Sequence, residues 1–384
     1  MDKCTKFKLF IVLLVLCVIN VFAYRFFSRP DLTLVESSFV TSKPSLRISS
    51  SNGSRDHGAN HTAATIAVIR LDKDIIPHEI PASPVLETTS TQSEEPKTLP
   101  LCPLVPPALR TTSGLVYGPL ATYTQSLTLE EIAKENPGLK PGGVFRPPDC
   151  TARHRVAIVI PYRNREEHLK LLLRNLHPML ARQQLDYGIF VIDQALPGKF
   201  NRAMLMNIGF EKAMEKYDYQ CAIFHDVDLI PENDRNIYSC PEMPRHMSAA
   251  IDKFNYRLPY DAIYGGVSAI NKEQFKQING FSNLFFGWGG EDDDMATRIS
   301  HSGLKITRYP MDIARYRMIK HSKDNGNEQN PQRFALLKTT SKRMAYDGLN
   351  SLKYTTQLVE ELPTHLRIQV LINEAEVVDN TKQS

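Results

Sequence analysis

Three short apolar runs, separated by helical patterns, constrain the fold of this chain more than any other feature. The runs are rich in β-branched residues and are typical of buried strands. They are RVAIVIPY (155–162), YGIFVID (187–193) and CAIFHDVD (221–228). Because helical patterns separate them over short connections, we predict an α/β fold with a mainly parallel sheet flanked by helices.

Two helices are predicted between these strands. In residues 164–184, leucines recur at helical spacing, and Asn164 with Glu167 forms an Asn-x-x-Glu capping signature. Residues 200–218 form the second pattern, with Asn201 as its expected cap.

Two aspartates, Asp226 and Asp228, follow the third predicted strand. In an extended chain the side chains of residues i and i+2 point the same way, so these carboxylates repel unless a cation lies beside them. Aspartates are common in turns, which is the simpler interpretation. At the carboxyl end of a buried strand, however, the pair favours a divalent cation such as Mg²⁺ or Mn²⁺ that holds a diphosphate.

A run of four acids, residues 291–294, follows the single tryptophan of the chain, Trp288, and a Gly-Gly pair. Such a run is ordinarily the solvated start of a helix, where negative charge favours the helix dipole. The pattern predicts a helix that begins at the acids and stops near Gly303. Asp294 is expected to act only as helix-start charge.

The N-terminus predicts membrane attachment. We interpret residues 1–8 as a cytoplasmic tail and residues 9–27 as an uncleaved signal-anchor helix, because the apolar run follows three lysines and reaches spanning length. The alternative is a cleaved secretory signal, since Val21-Phe22-Ala23 resembles a cleavage site. Both interpretations send the rest of the chain into the secretory pathway.

Residues 28–100 are rich in Ser, Thr and Pro and predict a flexible lumenal stalk that precedes a catalytic domain at residues 101–384. Asn52 and Asn60 begin the two glycosylation triplets of the chain. The net charge is +4 and no basic block is present, so nucleic acid is not an expected partner.

Four cysteines lie beyond the membrane segment, and an even number in an oxidising compartment predicts two disulfides. Three pairings are possible. We expect Cys221–Cys240, which closes a short loop, and Cys102–Cys150, which ties down the start of the folded domain.

Seven motifs in order make the chain resemble the animal β1,4-galactosyltransferases, and in particular the invertebrate members that transfer N-acetylgalactosamine. These motifs are PYRNREEHL, FNRA, DVDLIP, YGGVSA, GWGGEDDD, RMIKHSKDNGNEQNPQRF and DGLNSL. The resemblance covers nearly all of residues 100–370. It implies the nucleotide-sugar-binding GT-A fold and a single-pass type II protein of the Golgi membrane with a lumenal catalytic domain.

The resemblance also implies roles for individual residues. Asp228, Met318 and His321 match the Mn²⁺ ligands. Asp292 matches the catalytic base, which takes a proton from the acceptor hydroxyl. The positions that match donor-binding residues are Pro161, Arg163, Arg165, Phe200, Arg202, Asp226, Val227, Lys253 and Trp288. The acceptor, terminal β-linked N-acetylglucosamine, is implied by Gly290, Glu291, Asp292, Asp293 and Arg333.

One position departs from the vertebrate pattern. The vertebrate members typically carry a tyrosine where this chain has Ile263, and in the family that residue lies near C2 of the donor sugar. Isoleucine leaves room for an N-acetyl group, which predicts UDP-N-acetylgalactosamine as the donor. The alternatives are a conservative packing change in a galactosyltransferase that uses UDP-galactose and, in another class, an inactive sugar-binding module that retains its metal. Whether the acceptor belongs to a glycolipid or a glycoprotein stays open.

Overall fold

The structure is a computed structural model that describes residues 99–110, 118–320 and 327–383. The predicted membrane segment, the glycosylation positions Asn52 and Asn60 and the predicted metal ligand His321 lie outside these residues. Within them, no helix is both long and apolar enough to cross a membrane.

Eleven strands are present in the described part of the chain. They are β1 Val144–Phe145, β2 Arg155–Tyr162, β3 Asp186–Gln194, β4 Cys221–His225, β5 Leu229–Pro231, β6 Arg245–His246, β7 Ala250–Ile251, β8 Val267–Asn271, β9 Arg315–Met318, β10 Thr355–Glu361 and β11 Leu366–Leu371.

Eight strands form one sheet in the order β10-β11-β3-β2-β4-β8-β6, with β1 paired to β3. The three predicted strands β2, β3 and β4 are parallel neighbours, with Ile158 opposite both Ile189 and Ile223. β11 is parallel to β3, whereas β1, β6, β8 and β10 pair antiparallel. The prediction of a mainly parallel sheet was therefore wrong, because the sheet is mixed. Only strands that are joined by a helical crossover must run parallel, while β10 and β11 form a hairpin.

The described residues contain eight α-helices. They are α1 Leu129–Glu135, α2 Glu166–Arg182, α3 Arg202–Lys216, α4 Lys272–Gln277, α5 Glu291–His301, α6 Arg333–Leu337, α7 Thr340–Arg343 and α8 Glu374–Gln383. Asn201 caps α3 as predicted, since its side chain accepts a hydrogen bond from the Met204 amide at 2.9 Å. The predicted cap at Asn164 was wrong, because Asn164 has a left-handed backbone (φ 50°) and Arg165 precedes α2 without a side-chain cap.

Helices cover both faces of the central strands. Side chains alternate along β2, so that Val159 packs in the cluster that contains α3, while Ile158 and Ile160 pack with α2. A Cβ at Gly209 of α3 would overlap the Val159 side chain, and its absence lets α3 lie close against the sheet.

Both expected disulfides are confirmed. Cys102 bonds to Cys150, and Cys221, at the start of β4, bonds to Cys240. The second of these fastens the segment that leaves β5 to the strand that carries Asp226 at its carboxyl end.

Candidate active site

A cavity of about 640 Å³ lies where the carboxyl ends of β2 and β4 meet the start of α5. In parallel sheets this edge is the usual place for a ligand. Every predicted site residue that the structure describes lines the cavity. They are Pro161, Arg163, Arg165, Phe200, Arg202, Asp226, Val227, Asp228, Lys253, Ile263, Trp288, Gly290, Glu291, Asp292, Asp293, Met318 and Arg333. Residues far apart in the sequence are thus brought together as the resemblance implied.

Arg202 links the two acidic parts of the cavity. Its Nε donates to Asp226 Oδ1 at 2.6 Å, and its Nη1 donates to Glu291 Oε1 at 3.4 Å. Its Nη2 reaches the carbonyl of Gly266 at 3.3 Å. The Asn201 cap fixes the start of α3, so this guanidinium is aimed into the cavity and shared between the end of β4 and the start of α5.

Three carboxylates of the cavity, those of Asp226, Glu291 and Asp292, hold their protons more tightly than usual. The pKa of Asp226 is raised to about 6, mainly by burial, with the charge of Arg202 opposing the increase and that of Asp228 adding to it. Burial, and then the charge of Asp292, raises the pKa of Glu291 to about 7. Burial, and then the charge of Asp293, also raises the pKa of Asp292. The cavity is therefore suited to bind added positive charge.

Asp228 and Met318 lie at the same corner of the cavity because of strand pairing. Leu229 of β5 is opposite Met318 of β9, and the Ile319 amide donates to the carbonyl of Asp228 at 2.7 Å. The Met318 amide also donates to Asp252 Oδ1 at 2.9 Å. A carboxylate beside a second crowded aspartate fits Mn²⁺, whereas the thioether is a weak ligand.

Among the described residues, no group of three or more His, Cys, Asp or Glu is placed to hold a metal. The predicted ligand set contributes one such side chain to the described residues, that of Asp228, because its other members are a methionine and His321, which lies outside them. The described part of the set fits a Mn²⁺ ion.

The acidic helix start is built around two glycines. Gly290 precedes α5 with a left-handed backbone (φ 95°), which glycine adopts without strain. A Cβ on Gly265 would lie 2.5 Å from Asp292 Oδ2, so only glycine leaves room for this carboxylate. Glu291 Oε2 is buried without a hydrogen-bond partner among the described residues. It is therefore free to accept a hydrogen bond from a ligand.

Asp294 does not behave as solvated helix-start charge, and this expectation was wrong. Its carboxylate is fully buried and accepts hydrogen bonds from Arg298 Nε at 2.7 Å, Arg343 Nη2 at 2.8 Å and Thr340 Oγ1 at 2.7 Å. Arg298 and Arg343 also contact the buried Asp347. Asp294 falls on the inward stripe of α5, four residues before Arg298, which is the signal that sequence analysis missed.

Trp288 lies on a loop of three left-handed glycines, Gly287, Gly289 and Gly290. The tryptophan side chain is 60% exposed, although its backbone is fixed. Its amide donates to the Glu328 carbonyl at 2.9 Å, and its carbonyl accepts from the Asn330 amide at 2.9 Å.

Sequence analysis missed several apolar residues around the cavity. Tyr260 donates its hydroxyl to Asp293 Oδ1 at 2.9 Å, and the Arg333 guanidinium lies 4.3 Å from the Phe334 ring. Leu337, Phe254 and Ile251 also line the cavity. No spacing rule marks these residues, because only the fold brings them to the cavity.

Comparison with known proteins agrees with these features. Residues 102–241 match the family described as the N-terminal region of glycosyl transferase group 7, and residues 245–322 match the N-terminal domain of galactosyltransferase. β-1,4-Galactosyltransferase 1 of Mus musculus is 50% identical over 290 residues, which are 75% of this chain and 72% of the relative. The protein of the same name from Homo sapiens is 52% identical over 265 residues, 69% of this chain and 67% of the relative.

A solved structure is also similar. The catalytic domain of Drosophila β1,4-galactosyltransferase 7, in complex with xylobiose, aligns with a TM-score of 0.50 and 32% identity. The alignment covers 57% of this chain and 94% of that one. A mutant of the same protein was solved with manganese, UDP-Gal and xylobiose, at 31% identity and a TM-score of 0.50. The fold is therefore GT-A-like, with a mixed sheet flanked by helices.

Proposed function

The chain belongs to the β1,4-galactosyltransferase family, and from this premise we propose that it transfers N-acetylgalactosamine from UDP-N-acetylgalactosamine to terminal β-linked N-acetylglucosamine. The linkage formed is β1,4, and the reaction inverts the anomeric configuration of the donor. The observation that carries this proposal is the place of Ile263, which lines the same cavity as Asp228 and Asp292.

The choice of donor follows from the size of residue 263. A tyrosine at this position fills space near C2 of the sugar, whereas isoleucine leaves room for an acetamido methyl and offers it an apolar wall. A pocket contact of this size discriminates between substrates by about 10–200-fold.

Asp292 acts as the general base. Burial and Asp293 raise its pKa, which brings it closer to the working pH of a base that takes a proton from a sugar hydroxyl. Glu291, with its unpartnered Oε2, accepts a hydrogen bond from the acceptor and so orients it. Trp288 and Tyr260 offer aromatic surface to the sugars at the mouth of the cavity.

The donor diphosphate is bound by arginines that line the cavity. Arg163 is held over the Phe200 ring at 5.0 Å and by the Gly198 carbonyl at 2.9 Å. Asp228, Met318 and His321 would hold Mn²⁺, which supplies positive charge beside the leaving diphosphate when bound. Manganese is present with UDP-Gal in the mutant Drosophila structure.

Competitive transfer of the two sugars to a β-N-acetylglucosaminide tests the proposal. We expect the wild type to prefer UDP-N-acetylgalactosamine, and Ile263→Tyr to shift the kcat/KM ratio towards UDP-galactose by about 10–200-fold. Strong preference of the wild type for UDP-galactose would overturn the proposed donor. If Ile263→Tyr keeps the wild-type preference for UDP-N-acetylgalactosamine, the proposed function stands, but Ile263 does not determine the choice of donor.

The second candidate is a β1,4-galactosyltransferase, which is favoured by the names of the relatives described above. The same competition decides between the two donors. A sugar-binding module without activity is a third class, and release of UDP in the presence of acceptor and Mn²⁺ excludes it.

We further propose a single-pass type II protein of the Golgi membrane, with residues 101–384 as the catalytic domain. The lysines before the apolar run at residues 9–27 support this orientation. The acceptor glycan belongs to a glycolipid, a glycoprotein or both. N-terminal sequencing that begins near Tyr24 would instead favour a cleaved signal.

A further inference from the structure

We propose that Arg308 and His246 are positioning residues that set the donor selectivity of the enzyme. They do so by fixing the specificity loop, defined as residues 261–266, which carries Ile263 and leads into β8. Neither side chain is among the described residues that line the cavity, so both act through the loop. The inference rests on the proposed role of Ile263.

Arg308 holds the loop at two carbonyls. Its Nη2 donates to the carbonyl oxygens of Asp261 at 2.7 Å and Ile263 at 2.8 Å. Its Nε donates to His246 Nδ1 at 3.1 Å. Hydrogen bonds from a charged donor contribute more to stability than those between neutral groups. The guanidinium of Arg308 therefore holds the backbone of Ile263 itself.

His246 extends the same arrangement to the other side of Ile263. An arginine Nε can only donate, so Nδ1 of His246 accepts, and its proton is on Nε2. That Nε2 donates to the Gly265 carbonyl at 3.0 Å, beside a second hydrogen bond from Ser248 Oγ at 3.2 Å. Burial, and then the charge of Arg308, lowers the pKa of His246 to about 3, which keeps the ring neutral.

The two residues are anchored in the sheet and not in the loop. His246 is in β6, which pairs with β8 through Ser268. The His246 amide donates to the Thr307 carbonyl at 2.9 Å, and this bond places the next residue, Arg308, beside the imidazole ring. The loop is thus fixed relative to β6, because the carbonyls of Asp261, Ile263 and Gly265 accept hydrogen bonds from Arg308 and His246.

The loop contacts the catalytic base as well. Gly265 packs against Asp292 so closely that a Cβ there would lie 2.5 Å from Oδ2. A loop released from Arg308 is therefore expected to lower kcat with either donor. The change in the ratio between donors, however, reports on Ile263 alone.

The test compares Arg308→Met and Arg308→Lys with a neighbouring control, Arg245→Met. Arg245 also donates to a backbone carbonyl, that of Ile237 at 3.2 Å, and lies 4.6 Å over the Tyr309 ring. We expect Arg308→Met to change the ratio of kcat/KM for UDP-N-acetylgalactosamine and UDP-galactose by about 10-fold, the low end for a pocket contact. Arg308→Lys, which keeps the charge but not the forked geometry, should change it less, and Arg245→Met should leave it unchanged.

A double-mutant cycle separates positioning from general loss of stability. If Arg308 acts through Ile263, Ile263→Tyr should shift the donor ratio less in the Arg308→Met background than in the wild type. His246→Gln, whose amide can still donate to the Gly265 carbonyl, should change the ratio of kcat/KM for the two donors less than His246→Ala does.

Two outcomes would overturn the inference. An unchanged donor ratio in Arg308→Met and in Arg308→Lys, with equal loss of kcat/KM for both donors, overturns the inference. Additive effects in the cycle overturn it too. The preference of the wild type tests the proposed function separately, because the effect of Arg308 on the ratio is measurable whichever donor is preferred.

Discussion

At the scale of single residues, the chemistry depends on how one carboxylate is surrounded. Asp292 packs against Gly265, while Asp293, its neighbour in the helix, accepts a hydrogen bond from Tyr260 at 2.9 Å. Asp292 thus packs against the loop that carries Ile263, whereas Asp293 is held by the hydroxyl of Tyr260. This difference supports Asp292 as the base and Asp293 as a supporting group for the acceptor.

Asp292→Asn should retain donor binding and lose turnover by at least about 10²-fold, the low end for loss of a general base. The amide has nearly the same shape but cannot take a proton. Donor binding is measured by calorimetry with UDP and Mn²⁺, and turnover by UDP release. Asp293→Asn is the matched control and should lose much less. Turnover near the wild-type rate in Asp292→Asn would move the role to another acid.

At the scale of the element, the start of α5 is a site where function opposes stability. Burial and the neighbouring acid raise the pKa of Glu291 to about 7, so its charged form is disfavoured in the folded protein. An unfolded glutamate ionises near pH 4.5. As pH rises from 4.5 through 7, ionisation therefore favours the unfolded state, and the full penalty is present above pH 7.

Glu291→Gln should consequently raise the Tm of the metal-free domain at pH 8 and change it little at pH 4.5. The measurement is thermal unfolding of both proteins across this range. Activity should be lost, since the variant removes a proposed acceptor contact. An equal Tm shift at both pH values would show that the stabilisation does not come from the charge of Glu291.

Asp294, the fourth acid of the same helix, stabilises the folded domain. Asp294 is buried with Arg298 and Arg343, and removal of one partner leaves a buried charge without compensation. Asp294→Asn should therefore destabilise the domain by about 3–5 kcal/mol, the range for a broken buried ion pair. Urea unfolding measures this loss, with Asp293→Asn as the control. A loss below 1 kcal/mol would mean that the buried network contributes little.

The contrast between Asp292 and Asp294 shows how much of the fold and the site could be predicted from the sequence. Short apolar runs predicted β2, β3 and β4, and helical spacing predicted the helices between them, because local patterns determine these elements. The acids could be placed at a helix start, but which of them faces the cavity depends on packing by α7, which is remote in sequence. Family resemblance predicted residues that the fold brings together around the cavity. It gave no sign of Arg308 or His246, whose contacts are to backbone carbonyls.

At the scale of the whole molecule, the cavity joins segments from Pro161 to Leu337. Two sheets bring these segments together, because β8 pairs antiparallel with β4 in the large sheet while β9 pairs with β5 and β7 in a three-stranded sheet. A ligand that contacts all of these segments binds the folded protein only. Its binding energy is then added to the stability of the domain.

Mn²⁺ with UDP should therefore stabilise residues 101–384 against heat. At about 100 times its dissociation constant a ligand adds about 2.7 kcal/mol, which corresponds to a rise in Tm of about 4–5 °C in a domain of this size. Chelator should reverse the rise. Asp228→Ala should abolish the part of the Tm rise that depends on Mn²⁺, because it removes the proposed oxygen ligand that the pairing of β5 with β9 places beside Met318. Asp312→Ala, on an exposed side chain outside the cavity, is the control and should respond as the wild type does. If Mn²⁺ raises the Tm of Asp228→Ala as much as that of the wild type, the metal binds elsewhere in the molecule. This conclusion holds whatever the substitution does to sugar transfer.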